Sequence, residues 1–117
     1  MEKEIYKIYH NDFGIAFQWK SNATKRDKIQ LVFRDMGFYL TAKEIRQFHE
    51  NVFDARNSKG CSCCERDCNT KSILLKTPST KVDLAVNEKE LMEVEDLIKG
   101  TLFQLDLDNY LNNLCNL

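Results

Sequence analysis

Four of the five cysteines in this 117-residue chain lie within eight consecutive residues. The segment reads CSCCERDC, and its thiols belong to Cys61, Cys63, Cys64 and Cys68, which we call the cysteine cluster. Thiolates are preferred ligands of zinc and of softer metal ions, and four of them complete the tetrahedral shell of a structural zinc site. The number of thiols therefore predicts a metal site, with zinc as the expected metal, in a stabilising or interaction role.

The spacing within the cysteine cluster makes convergence on one ion difficult. Structural zinc sites commonly use paired C-x-x-C units, whereas the pattern here is C-x-C-C-x-x-x-C. Cys63 and Cys64 are adjacent, and adjacent side chains of an extended segment point to opposite sides. A site with three thiolates and one imidazole is geometrically easier. His49 is the better of the two histidines for this role, because it lies on the predicted helix that leads into the segment.

Two other interpretations of the cysteine cluster stay open. Lys59, Arg66 and Lys71 favour thiolates, and neighbouring thiols can resolve a sulfenic acid as a disulfide, which would suit a redox sensor or reductant. Glu65 and Asp67 oppose that effect. No C-x-x-C lies at a predicted helix start that follows a strand, which disfavours a thioredoxin-like oxidoreductase. In the last interpretation the thiols have no specific chemistry. The protein is then a plain interaction module that meets a partner through its acidic second helix or an aromatic sheet face.

Charge and motifs argue against several other functions. The net charge is −1, and residues 82–117 hold eight acidic and two basic side chains, so we do not expect nucleic-acid binding. The first 20 residues contain no apolar run of the kind that a signal peptide or membrane span needs, which predicts a cytoplasmic protein without membrane association. We find no phosphate-binding glycine motif or catalytic triad pattern, and so expect no enzyme and no small-molecule substrate.

The chain is predicted to form one domain, residues 1–117, with a cysteine-rich loop at residues 57–71. Runs rich in β-branched and aromatic residues predict strands. They are residues 4–9, 14–19, 28–34, 38–40, 72–77 and 81–86. In the third run Ile29, Leu31 and Phe33 share one face, as in a half-buried strand.

Two helices are predicted from their first turns. Thr41 with Glu44, and Asn87 with Glu90, have the spacing of a capping box, in which each side chain accepts a hydrogen bond from the other residue's N–H. Apolar residues at helical spacing follow each cap: Ile45, Phe48, Val52 and Phe53 after the first, and Leu91, Val94, Leu97 and Ile98 after the second. Gly100 predicts the end of the second helix.

The C-terminal tail is predicted to form a strand at residues 101–105 and then a short helix. Asp106 or Asp108 would cap that helix. Its apolar residues would be Tyr110, Leu111, Leu114 and Cys115. Cys115 is expected to be a small buried apolar residue.

These elements predict an α+β fold in which a mainly antiparallel sheet of five or six strands carries two or three helices on one face. A strand-strand-helix unit occurs twice. A shift of 46 residues places Thr41 on Asn87 and Glu44 on Glu90, as an internal duplication would. Any helix that follows a strand and packs on a sheet shares part of this pattern, so the duplication stays open.

Several phrases of the chain are similar to those of a known protein family. They are GIAFQ, FYLTAKE, SILLKTP and DLIKGTLFQLDL. They resemble a domain of unknown function found in small uncharacterised bacterial proteins, and the similarity covers most of the chain. The phrases are core and cap segments, so the resemblance implies no activity, cofactor or site residue.

Overall fold

A computed structural model describes residues 5–19, 28–34, 36–58 and 73–115. These residues form six strands and two helices. In chain order they are β1 (Ile5–His10), β2 (Gly14–Trp19), β3 (Lys28–Phe33), β4 (Met36–Thr41), α1 (Ala42–Ser58), β5 (Ile73–Lys76), β6 (Asp83–Val86) and α2 (Glu88–Cys115).

The strands form two antiparallel sheets. One has the order β1-β2-β3-β4, and the other is the β5-β6 hairpin. The α+β class and the antiparallel pairing predicted from the sequence are confirmed. The single sheet of five or six strands is not found among the described residues, because β5 and β6 pair with each other and pack beside α1, where the Asn51 side-chain amide donates to the Lys76 carbonyl oxygen at 2.9 Å. The duplication stays a prediction.

The core lies between one face of the larger sheet and the two helices. The strand alternation predicted for β3 is confirmed, since Ile29, Leu31 and Phe33 are at most 2% exposed. Both sheets and both helices contribute to one apolar cluster: Ile8, Ala16, Ile29, Leu31, Phe33, Leu40, Ile45, Phe48, Val52, Ile73, Leu75, Leu84, Val86, Leu91, Val94, Leu97 and Ile98. The predicted stripes of the two helices are therefore core residues, except Phe53, which is exposed.

Both predicted capping boxes are present at the helix starts. In α1 the Thr41 hydroxyl accepts from the Glu44 N–H at 3.2 Å, and the Glu44 carboxylate accepts from the Thr41 N–H at 2.8 Å. In α2 the Asn87 side-chain oxygen accepts from the Glu90 N–H at 2.7 Å, and the Glu90 carboxylate accepts from the Asn87 N–H at 3.0 Å. Each helix therefore begins where the sequence predicts.

The predicted end of α2 at Gly100 is wrong, as are the strand at residues 101–105 and the separate helix capped by Asp106 or Asp108. One helix of 28 residues continues to Cys115. The Thr101 hydroxyl donates to the Leu97 carbonyl oxygen at 2.6 Å, within the helix. Gly100 admits the Tyr9 ring of β1: a Cβ built at Gly100 would lie 2.3 Å from Tyr9 Cζ. The glycine thus allows close packing within a continuous helix. The side chain of Cys115 lies outside the described part of the chain.

Candidate functional site: the outward face of helix α2

The cysteine cluster lies outside the described residues, so His49 is the predicted metal ligand that has a described position. It is half-buried on α1. Within residues 5–19, 28–34, 36–58 and 73–115, no group of three or more His, Cys, Asp or Glu side chains is arranged to hold a metal ion. His49 as a ligand stays a prediction.

The position of His49 limits how it could serve the cysteine cluster. It follows Arg46 by three residues and precedes Arg56 by seven, so all three lie along one edge of α1. That edge faces α2, because Arg46 contacts Asp106 at 3.1 Å and Arg56 contacts Glu95 at 2.7 Å. His49 also lies about 14 Å along the helix axis from Ser58, the last residue of α1. A site that includes His49 therefore requires the cysteine segment to return along α1.

An ion pair links the first turn of α2 to the larger sheet. The Glu90 carboxylate, in a residue that is 5% exposed, also forms an ion pair with Arg34. Arg34 follows β3 with a φ of 55°, a left-handed conformation that is uncommon outside glycine. Its guanidinium lies over the Phe13 ring, 5.2 Å from the centroid. A buried carboxylate needs such partners, and they hold the start of α2 against the β3–β4 turn.

The end of β1 and the turn that follows it make a second attachment, in the middle of the first half of α2. The Tyr9 hydroxyl donates to the Asp96 carboxylate at 3.0 Å. The Asn11 side-chain amide donates to the same carboxylate oxygen at 2.9 Å and to the Glu93 carbonyl oxygen at 3.0 Å. The hydrogen bond to Asp96 raises the pKa of Tyr9 above its ordinary value, and burial and the negative charge of Asp96 add to this.

One line of α2 residues is exposed along the whole length of the helix. At 100° per residue, the spacing 4-3-4-4-3-4 keeps seven residues within about 80° of one another. They are Met92, Asp96, Lys99, Phe103, Leu107, Tyr110 and Leu114. All seven are exposed, and we call this line the outward face of the helix, although Asp96 at its edge accepts hydrogen bonds from Tyr9 and Asn11. In the first half of α2, residues 88–101, it holds one apolar residue and two charged ones.

In the second half of α2, residues 102–115, the outward face is entirely apolar. We call Phe103, Leu107, Tyr110 and Leu114 the α2 seam. Their exposed fractions are 66%, 36%, 61% and 48%, and Leu111, one residue after Tyr110, is 47% exposed. Single exposed apolar residues are ordinary, but a contiguous exposed apolar patch on a small protein marks an interaction surface.

Comparison with known proteins places the chain in a family without identifying a chemistry. A model of the Family of unknown function (DUF6686) matches residues 1–113. The chain belongs to that family. This confirms the resemblance to an uncharacterised domain that the sequence phrases carry. No curated protein and no solved structure gives a significant match to this DUF6686 chain.

The opposite side of the second half of α2 lines an open groove in the DUF6686 chain. The groove has a volume of about 700 Å³ and runs between α2, the start of α1 and the strand end at Tyr6. Its polar lining includes Lys43, Arg46, Asp108 and Asn112. Leu111 borders the groove, whereas no member of the α2 seam does. Neither of the two described helices combines the length and the hydropathy that a membrane span requires.

Part of the α2 seam in this DUF6686 chain is predictable from the sequence. Tyr110 and Leu114 were expected on a short helix, but Phe103 fell in the wrongly predicted strand and Leu107 was not singled out. The signal was present as the 4-3-4 spacing from Phe103 to Leu114. It becomes visible once the helix is continued through Gly100.

Proposed function

We propose that this protein is a non-catalytic interaction module that binds an amphipathic helix of a protein through the α2 seam. The observation that carries the proposal is the change along the outward face of α2. Its first half holds one apolar and two charged residues, and its second half holds only the four apolar residues of the seam. A contiguous exposed apolar patch of this kind marks an interaction surface on a small protein. Phe103 and Tyr110 supply aromatic rings, which are favoured anchors of protein interfaces.

The spacing of the α2 seam favours a helix as the binding element. Apolar residues at intervals of four, three and four are the a/d pattern of a coiled coil, in which the side chains of each helix fit between those of the other. The seam residues carry no charge, so an apolar helix face can cover them without burying an unpaired ion. Tyr110 keeps a hydroxyl that can reach the rim of such an interface.

Photo-crosslinking in living cells tests the proposed function. Benzoylphenylalanine in place of Tyr110 is expected to form a defined adduct, and mass spectrometry identifies the protein in it. The adduct is expected to disappear when Leu107→Asp is combined with the probe. The same probe in place of Met92 is the matched control, because Met92 lies on the outward face of the same helix and is 64% exposed. Equal labelling from both positions would contradict the proposal.

We also propose that the cysteine cluster binds one zinc ion in a stabilising role. The supporting observation is the presence of four thiols within eight residues, enough for a closed tetrahedral site. Zinc binding requires deprotonated, reduced thiols, so this proposal goes with the cytoplasmic location expected from the sequence. His49 could replace one of the four thiolates in a mixed site.

Native and denaturing mass spectrometry of protein expressed with zinc tests the metal proposal. We expect one zinc per chain under native conditions, its loss on denaturation, and its absence from Cys61→Ser/Cys64→Ser. His49→Gln separates the two ligand sets, because it weakens zinc binding if the imidazole is a ligand and leaves it unchanged if four thiolates suffice. Metal-free protein with fully alkylatable thiols and a melting temperature indifferent to chelators would contradict zinc. A reversible disulfide formed within the cluster by mild peroxide would then favour the redox alternative.

A further inference from the structure

The α2 seam has the same spacing read in either direction along the chain. The intervals from Phe103 to Leu114 are four, three and four residues, and from Leu114 back to Phe103 they are again four, three and four. A second copy of the same helix, turned end to end, therefore presents a matching row of side chains. Such isologous pairing about a two-fold axis is the commonest form of protein self-association.

We infer that the helix bound by the α2 seam is the α2 of a second copy of this chain, in antiparallel orientation. This inference rests on the proposed function and specifies its partner. In the pairing, Phe103 lies opposite Leu114 of the partner subunit and Leu107 lies opposite Tyr110 of the partner subunit. The two-fold axis repeats both contacts, so the four seam positions of each copy are covered. Each layer pairs an a position with a d position, as antiparallel coiled coils do.

Charge favours the antiparallel orientation over the parallel one. In a parallel pair in register, the contact would extend toward the N-terminus of α2. Lys99 would then lie opposite Lys99 of the partner subunit, and Asp96 opposite Asp96 of the partner subunit. Like charges brought together at an interface oppose association. In the antiparallel pair the overlap ends at Phe103, so Asp96 and Lys99 lie beyond it.

The residues beside the seam are also compatible with the antiparallel pair. Asp106, on one flank, lies near Asn113 of the partner subunit, and its carboxylate already contacts Arg46 of its own chain at 3.1 Å. Gln104, on the other flank, lies near Leu111 of the partner subunit. No like charges meet across either flank in this register.

The available area predicts a weak dimer. Four seam residues and Leu111 expose roughly 100 Å² each, so two copies bury roughly 1,000 Å² in total. That is near the lower limit for a specific interface. Residues 109–114 are exposed on all sides, which leaves room for a second helix at the tip of α2. The dimer is therefore expected to form at roughly 10–500 µM and to dissociate at about 1 µM.

Sedimentation velocity over a concentration series, from about 1 µM to about 500 µM, tests the inference. The experiment is done in reducing buffer so that no intermolecular disulfide contributes. We expect the weight-average sedimentation coefficient to rise from the monomer value toward the dimer value. Leu107→Asp is expected to weaken dimerisation by more than tenfold, because it buries a carboxylate in a central layer, an effect of about 1.4 kcal/mol or more. Met92→Asp, on the same face of the first half, is expected to dimerise like the unmodified chain.

Two further measurements keep the test decisive. Circular dichroism checks that Leu107→Asp is folded; if it is not, Leu114→Asp near the exposed tip takes its place. Benzoylphenylalanine at position 103 reports orientation, because an antiparallel pair gives an adduct near Leu114 of the partner subunit and a parallel pair gives one near Phe103 of the partner subunit.

The outcomes separate failure of this inference from failure of the proposed function. A monomer at every concentration, or a dimer unaffected by Leu107→Asp and by Leu114→Asp, overturns the second copy as partner. If the Tyr110 probe still captures an identified protein in cells, and Leu107→Asp abolishes that adduct, the interaction module stands with a different partner. If the probe captures neither, both proposals fall.

Discussion

The two halves of α2 place most of their large apolar residues on opposite sides. In residues 88–101 the apolar side chains other than Met92 face inward, and Leu91, Val94, Leu97 and Ile98 are at most 2% exposed. In residues 102–115 the largest apolar side chains face outward as the α2 seam. Over the whole helix the apolar residues are therefore spread around the axis, although each half is amphipathic by itself. One continuous helix therefore has a half that belongs to the core and a half whose large apolar side chains are exposed.

The halves also differ in how they are held to the rest of the protein. The first half has the Glu90–Arg34 ion pair and the hydrogen bonds of Asp96 with Tyr9 and Asn11. The second half contacts the body through half-buried Leu102 and Leu105 and the exposed pair of Asp106 with Arg46. An exposed ion pair contributes roughly 0–1 kcal/mol. Most of the stability of α2 is therefore expected to come from its first half.

The largest expected effect comes from truncating one leucine in each half, which tests whether the first half of α2 supplies most of its stability. Leu97→Ala removes a fully buried side chain and is expected to lower the free energy of unfolding by about 3 kcal/mol, from lost burial and the remaining cavity. Leu107→Ala, at a side chain that is 36% exposed and points outward, is expected to lower it by less than about 1 kcal/mol. Urea unfolding followed by circular dichroism measures both values.

That measurement must be made on the monomer, because association through the α2 seam would add stability that Leu107→Ala removes. Protein at about 1 µM, below the expected dimer range, provides this condition. Comparable losses from Leu97→Ala and Leu107→Ala would contradict the division of α2, since they would mean that the seam is part of the core.

Local signals in the sequence predicted the start of each helix and the buried face of β3. A capping box is formed by residues three apart, and a strand's alternation by residues two apart, so both are complete within a short segment. Thr41 with Glu44, and Asn87 with Glu90, form the expected reciprocal bonds. The assignment to one sheet went wrong because pairing of β5 and β6 with the other strands depends on long-range packing.

The end of α2 could not be predicted locally, because it depends on a residue 91 positions away. Glycine near the end of an apolar stripe usually marks a helix C-terminus. Here the reason for Gly100 is the Tyr9 ring of β1, which occupies the place of its side chain. The α2 seam was partly missed for the same reason: a helix that ends at residue 100 divides its four residues between two elements. The cysteine cluster stays a sequence prediction.

Gly100→Ala tests the contact with the Tyr9 ring at the boundary between the two halves of α2. In an exposed helix interior, alanine stabilises relative to glycine by about 1 kcal/mol. Here the added methyl would meet the Tyr9 ring, and moving that ring breaks the hydrogen bond from its hydroxyl to Asp96. We therefore expect a net loss of about 1–2 kcal/mol in the free energy of unfolding, measured by urea denaturation.

The control for Gly100→Ala is the same substitution in a Tyr9→Ala background. With the ring absent, alanine at position 100 is expected to be neutral or to stabilise by up to about 1 kcal/mol, as helix propensity alone predicts. A reversal of sign between the two backgrounds assigns the effect to the Tyr9 contact. The same loss in both backgrounds would place the cause elsewhere in α2.

The smallest expected effect is a pH dependence at the attachment of the first half. The protonated Tyr9 hydroxyl donates to Asp96, and this raises the pKa of Tyr9 above its usual value of 10.0. A group whose pKa is raised on folding adds stability below its unfolded pKa and loses that stability as pH rises through its folded pKa. Tyr9→Phe is therefore expected to be less stable than the unmodified chain near pH 8, by about 0.5 kcal/mol for one exposed hydrogen bond. The difference should shrink and then reverse above about pH 10, where ionised Tyr9 repels Asp96.

Tyr6→Phe on the same strand controls for the loss of one ionising phenol, and urea unfolding at several pH values measures all three chains. If the difference in unfolding free energy between Tyr9→Phe and the unmodified chain stays constant over this pH range, the hydroxyl does not stabilise the contact between β1 and α2. Tyr9 would then contribute there only through the packing of its ring against Gly100.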